Sequence, residues 1–423
     1  VSRRYLLTTL LAIAAAAPAA AENWPQWRGP KNDGHSTEKG LPATWGPNNN
    51  VVWKAKLPGP GASTPCIWGD RIFITAEEGA DLVVVCIGTD GAEKWKRKLG
   101  SGSMKARGDE GNAASASCST DGKLVYAFMG DGHLGCFDFN GNVVWTLDAQ
   151  ATYGKFTIQF GGHWTPVLYK DRLYLCLMHR KTQMIVALDK ATGAEVWKAD
   201  RKSDGKGEAL DVYASPFIWE NEAGTKALLI YHGNDYCTAH DLENGAEVWR
   251  VAELNPKAKY NMAWRAVSSP LVTPNLIVVP SCKNGVTVAI DPNKAKGTIL
   301  PGNPAELWRL EKGTPDVPSP LLVDGVVYIE RETSTIAAYD AKNGKPLYSE
   351  TVTSERHRAN PVYADGKIFL VGREGTMPVV KAGTTFELLA KNKLPDIFSS
   401  SPAVSGGRIY FRGWNYLWAI GTK

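Results

Sequence analysis

Apolar and polar residues alternate along this chain in short runs, such as RIFIT from Arg71, RLYLC from Arg172 and KIFLV from Lys367, and Gly, Asn, Asp or Pro bounds each run. A period of two over so few residues predicts half-buried β-strands, and no long stretch keeps the 3.6-residue spacing of an amphipathic helix. The expectation is an all-β chain with little helix.

The runs recur in a larger unit. ALDKATGAEVW from Ala187 returns as AHDLENGAEVW from Ala239, and weaker copies end at Trp95, Trp145 and Tyr348, with a stretched copy from Ala289 to Trp308. A second landmark, a Ser/Thr-Pro step leading into an apolar pair, precedes these segments, with prolines at 65, 166, 216, 270, 320, 361 and 402. In SASCSTDGKLVYAF from Ser115, Cys118 stands where the proline would be. Each unit reads as four strands: after the proline, after the Gly/Asp turn, up to the repeated Asp, and through the Trp. A repeat near fifty residues built this way predicts a β-propeller, because radial sheets leave only short protected edges.

The landmarks count eight blades. The last unit lacks its Trp strand, and a spare copy, NVVWKAKL from Asn50, lies at the other end of the chain. Val51 to Lys56 is therefore expected to complete the final blade. In the Asp-to-Trp segment, Asp oxygens accept backbone N–H bonds and Gly takes the left-handed conformation. The Trp ring packs between sheets and its N–H seeks an acceptor. The residue three before the turn is expected to be small so that the ring lies over it: Ala187, Ala239, Ala289, Ala338, Cys86 and Cys136. Most of the fifteen Trp are thereby assigned to packing. KAKGTILPGNPAEL, before Trp308, reads either as a lengthened turn or as a contact surface.

Residues 1–21 read as a bacterial signal peptide, with Arg3 and Arg4, a short apolar stretch from Leu6 to about Ala17, and Ala19-Ala20-Ala21 before the cut. The opening fits a twin-arginine signal, although two basic residues suit any signal peptide. The organisation expected is signal peptide 1–21, leader 22–49 and a single propeller domain 50–423, exported, soluble and monomeric. The seven cysteines include no CxxC and no adjacent pair. They read as small buried residues, with a bridge from Cys86 or Cys136 left open. A net charge of +5, two of it on Arg3 and Arg4, argues against nucleic acid and against an acidic membrane surface, and no membrane insertion is expected.

With repeats of the form A-x-D-x-x-T/N-G-x-x-x-W in an eight-fold count, the mature chain resembles the pyrroloquinoline-quinone (PQQ) repeat propellers. The leader WPQWRGPKNDGHS is similar to the opening of exported PQQ-like propellers of planctomycete-type bacteria. The resemblance implies one of two roles. One is a binding scaffold like the outer-membrane assembly factor BamB, and the other is a PQQ- and calcium-dependent dehydrogenase of alcohols or sugars. The adjacent-cysteine disulfide and the haem-attachment sequence of quinoproteins are absent, which favours the scaffold without excluding the enzyme.

Function then rests on the axial funnel, whose lining is expected just before each Ser/Thr-Pro step and just after each second strand. Trp264, Arg265, Lys283, Arg358, Arg373 and Arg412 there would offset the charge of a polyanion such as PQQ, and His163-Trp164 stands out because most copies carry small residues at that place. If the dehydrogenase resemblance holds, Glu330 and Asn234 are the expected calcium ligands and Asp211 or Asp316 the base. The alternative is that these loop ends are polar because they are solvated. The reading favours binding of a protein, a glycan or a small anionic ligand.

Overall fold

The computed structural model describes residues 21–102 and 111–422, so all but the last residue of the expected signal peptide 1–21 lies outside the described residues. Eight sheets follow one another along the chain, each built from short antiparallel strands. Blade 1 spans residues 66–101, blade 2 119–148, blade 3 167–200, blade 4 217–251, blade 5 271–310, blade 6 321–351 and blade 7 362–393. Blade 8 takes three strands from residues 403–420, and its outer strand is Val51–Lys56, antiparallel to Tyr416–Ile420. The termini are thus clasped within one sheet. Among the described residues helix is confined to Ala149–Tyr153, capped by the Asp148 carboxylate, and two short 3-10 turns.

The repeated Asp and Trp explain how the blades lock. Asp189 Oδ1 accepts the backbone N–H groups of Ala191 and Thr192 at 3.1 and 2.9 Å, and Gly193 follows with φ +74°. The indole of the preceding blade reaches this turn: Trp145 donates to the carbonyl of Lys190 at 3.0 Å. The same bond joins Trp53 to Thr89, Trp95 to Phe139, Trp197 to Leu242 and Trp308 to Ala341.

Cys86, Cys136, Ala187, Ala239 and Ala289 are the cross-strand partners of their own blade's Trp, and each packs in one cluster with it. The ring itself lies on the glycine of the next blade's turn. A Cβ on Gly193 would stand 2.7 Å from the Trp145 ring. Gly193→Ala combines left-handed strain of about 1–2 kcal/mol with overpacking of about 1–3 kcal/mol. Urea unfolding should show a loss of about 2–5 kcal/mol. Gly40, also left-handed but with open space around it, should lose only the strain of about 1–2 kcal/mol as Gly40→Ala. Equal losses at the two positions would refute the ring contact.

Two blades gain a fifth strand. Gly297–Ile299, from the long insert before Trp308, pairs in parallel with the outer strand of blade 4, with Gly297 opposite Trp249. The insert is therefore an inter-blade contact. Buried Trp249 has no partner for its indole N–H among the described residues. His35–Ser36 adds a parallel strand inside blade 7.

That second addition belongs to the leader, which crosses the bottom of the axis. Trp24 exchanges backbone bonds with Ile67 of blade 1, and Pro25 O accepts from Thr120 N of blade 2. Trp27 then packs on Phe217 of blade 4, and buried Arg28 donates to Pro320 O of blade 6 at 2.7 Å. Burial lowers the Arg28 guanidinium to about 10, since no carboxylate is bonded to it among the described residues. Residues 22–49 are thus woven into the propeller. All seven cysteines are buried free thiols.

Candidate functional site

A cavity of about 210 Å³ lies on the axis above Trp27. Its wall is built from one short extended segment per blade, the segment that ends in the Ser/Thr-Pro step. Residues two apart in extended chain point the same way. Each segment therefore contributes two lining side chains, and eight segments make two tiers.

The lower tier is nearly uniform: Thr64, Ser117, Thr165, Ser215, Ser269, Ser319, Asn360 and Ser401. These residues bond to one another around the axis. Thr64 N–H donates to Ser117 Oγ at 2.9 Å, Ser117 N–H to Thr165 Oγ1 at 3.1 Å, and Thr165 N–H to Ser215 Oγ at 3.0 Å. Ser215 N–H continues to Ser269 Oγ at 3.1 Å and Ser269 N–H to Ser319 Oγ at 3.0 Å. Ser319 N–H donates to Asn360 Oδ1 at 2.6 Å and Asn360 N–H to Ser401 Oγ at 3.0 Å. The inner edge of one blade is thereby satisfied by the hydroxyl of the next, as a buried N–H requires. This gives the Ser/Thr of the sequence landmark a physical role: it links adjacent blades.

The upper tier varies: Ala62, Ser115, His163, Tyr213, Val267, Val317, Arg358 and Ser399. Phe160, Arg265 and Asp316 stand at the rim. One side of the cup is aromatic, with His163 stacked on Tyr213 at 6.2 Å and Arg265 over Phe160 at 5.1 Å. The other side is charged. Arg358 and Arg356 reach Glu332 at 3.0 and 2.5 Å and Lys283 approaches it at 3.6 Å, while on the aromatic side Arg265 also pairs with Glu208 at 3.2 Å.

Burial and the neighbouring Glu332 carboxylate push the Asp316 carboxyl up. Burial also opposes ionisation of Glu332, but Arg358 and Arg356 outweigh it and hold this carboxyl below its usual range. Burial lowers the His163 imidazole to about 4, so the ring is neutral near pH 7, with Nε2 at 2.5 Å from Phe160 O.

The axial lining therefore includes His163, Arg265, Asp316 and Arg358 among the residues singled out from sequence. Others lie elsewhere. Trp164, one residue beyond His163, faces the opposite way: it is fully buried against Phe128 and Phe156 and donates to Val212 O at 2.7 Å. Trp264 stands beside Gly285, Ser281 and Cys282 in a separate crevice. Lys283 is half-exposed and acts on the cup through its pairing with Asp316 and Glu332. Arg373 bonds Ser399 from behind the wall and lies over Trp414. Arg412 is sealed between blades 8 and 1, donating to Thr75 O at 2.9 Å, and burial lowers it to about 9.

The residues suggested for calcium and for a base do not converge. Glu330, on blade 6, is buried and bonded to His357, and burial raises its carboxyl. Asn234, on blade 4, is bonded to Gln183. Asp211 is fully buried and held by Arg180 at 3.1 Å. The donors needed for a calcium–PQQ site are thus spread over separate blades and engaged with other partners, and the two Trp suggested for the funnel lie outside the cup. Among the described residues no three His, Cys, Asp or Glu side chains are grouped to hold a metal ion. Glu330 and Asn234, the residues named for calcium, are each held by another side chain, and of the two named bases only Asp316 lines the cup. The hydroxyl tier and the floor formed by Trp27 were missed from sequence.

No helix among the described residues is long and apolar enough to cross a membrane. No curated protein matches the sequence. Among solved structures, BamB from Moraxella catarrhalis superposes with a TM-score of 0.66 at 14% identity, over 88% of this chain and 99% of that one. A quinohemoprotein alcohol dehydrogenase from Comamonas testosteroni gives 0.68 at 13%, over 95% and 81%. A europium-containing methanol dehydrogenase gives 0.65 at 11%, over 94% and 89%. At such identities the likeness establishes the fold and not the activity. The sequence matches the family described as outer membrane protein assembly factor BamB over residues 37–148, 130–298 and 295–412, and the chain belongs to that PQQ-repeat propeller family.

Proposed function

We propose that this chain is an exported, periplasmic binding propeller whose axial cup takes a small anionic ligand, leaving the loop-rich face for a protein partner. The observation that carries this reading is the pair of tiers: a uniform ring that holds the blades and, directly above it, a varied ring that gives the cup one aromatic and one cationic side. Aromatic faces and a few placed polar groups are what a small-molecule site needs. In the lining of the cup Arg265 and Arg358 outnumber Asp316, and Asp316 ionises reluctantly. The balance favours an anion.

Thermal unfolding with citrate, glucuronate or glucose at constant ionic strength tests the reading. A ligand that binds only the folded chain at a hundred times its Kd stabilises it by about 2.7 kcal/mol. Citrate or glucuronate should raise the melting temperature by several degrees, glucose should not, and Arg358→Met should remove the gain. The reading fails if neither anion acts, or if glucose acts as strongly. PQQ with calcium belongs in the same panel, because dye-coupled oxidation of an alcohol or sugar would establish the dehydrogenase instead.

A further inference from the structure

The bonding pattern of the lower tier fixes what its hydroxyl groups can still do. A serine hydroxyl has one proton to give and oxygen lone pairs to receive one. In the tier, Ser117, Thr165, Ser215, Ser269, Ser319 and Ser401 each supply lone pairs; the first four and Ser401 receive a neighbouring blade's N–H, as does Ser319. None of these six donates its own proton to a protein acceptor among the described residues. All six line the cavity. The ring thus presents a collar of O–H donors to the axis. One of the two lone pairs of each hydroxyl is drawn into the blade-to-blade bonds, and both are at Ser401.

Trp27 and the leader close the end below the collar, and the leader brings buried Arg28, which donates to Pro320 O next to Ser319, to that side. Above the collar stand the Arg358 and Arg265 guanidinium groups. A group that enters such a shaft must be rich in acceptors and compact, and a charged acceptor gains about twice as much from each O–H as a neutral one.

We propose that the collar is the seat of an oxyanion, the carboxylate, phosphate or sulfate head of the cup's ligand, which enters head-down with its body against Phe160 and Tyr213. This inference rests on the reading of the cup as a binding site and adds which chemical group goes to the bottom of it.

Inorganic sulfate is the probe, titrated calorimetrically into the full chain at fixed ionic strength. Asn360→Asp is the decisive variant. It keeps the oxygen that accepts Ser319 N–H, and Ser401 can turn its spare proton toward the new carboxylate, so the blades stay linked while a negative charge enters the collar. Sulfate affinity should fall at least 30-fold. Ser215→Ala and Ser269→Ala should each weaken it about 5- to 10-fold and Ser215→Thr less than 3-fold, since threonine restores the donor.

If the alanine variants do not fold, the aspartate variant still decides the matter. Sulfate that binds and is lost in Arg358→Met, yet is indifferent to Asn360→Asp, would overturn the collar and leave the cup standing. No sulfate binding to the unaltered chain would overturn the collar as well, and the response to citrate and glucuronate then judges the cup by itself.

Discussion

A chain that begins at Leu57, lacking the leader and the clasp strand, should show no cooperative thermal transition. The missing segment does three jobs at once. Val51–Lys56 covers the edge of Tyr416–Ile420, and without it blade 8 has three strands and an open row of backbone donors and acceptors. Trp53 carries the indole contact from blade 8 to the blade 1 turn, through Thr89 O at 2.8 Å. Trp24, Leu41 and Trp45 are buried in the core shared by blades 1, 7 and 8.

Magnitudes settle the outcome. A fully buried Trp is worth about 3–5 kcal/mol on truncation to Ala and a Leu about 2–5 kcal/mol. Three such residues together match the whole stability of a typical protein, about 5–15 kcal/mol. Circular dichroism melting and size-exclusion elution would check the result. A shortened chain that melts within about 3 °C of the intact one would show that the ring closes without its clasp. Trp24→Ala is the graded version, expected to cost about 3–5 kcal/mol while leaving the clasp paired.

The eight blades and the clasp were legible in sequence for a physical reason: each blade repeats the same demand. An Asp turn, a glycine that must take positive φ, and an indole seeking the next turn recur near every fifty residues, and the one missing Trp strand has an obvious spare. The site was less legible. His163 and Trp164 look like a pair in sequence, yet neighbours in extended chain face opposite sides, so only the histidine reaches the axis. Glu330 and Asn234 occupy corresponding loop ends, but nothing in a repeat tells how far apart two blades hold them. The Ser/Thr-Pro step was visible as a landmark while its purpose was not, because the bond it makes runs to a residue about fifty positions on. The leader carries no repeat at all, and its path under the axis depends on contacts with five blades.

Acid should destabilise this protein well before its ordinary carboxylates protonate. Blade 4 buries two histidines, His232 and His240, and burial lowers both to about 4. His240 is bonded on both ring nitrogens, to Gly245 O at 3.0 Å and Thr238 Oγ1 at 2.9 Å. The unfolded chain takes up these protons near pH 6.5, whereas the folded chain resists until about pH 4. Between those values the unfolded state binds more protons, so stability is whole above about pH 6.5 and drains as pH falls toward 4. Each histidine contributes a slope of up to about 1.4 kcal/mol per pH unit in that window. His163 and His179, also lowered to about 4 by burial, add to it. Asp211, Asp235 and Glu330, raised by burial, pull the other way, because the folded chain takes their protons first. We expect a net loss of about 3–5 kcal/mol between pH 6.5 and 4.5. Scanning calorimetry should record this as a fall of roughly 5–15 °C in melting temperature. A His232→Gln, His240→Gln double variant starts lower at pH 7 but should lose about half of that slope, since glutamine does not titrate. An intact chain whose melting temperature is level across the window, or a double variant with an unchanged slope, would show that the blade 4 imidazoles are not what acid attacks.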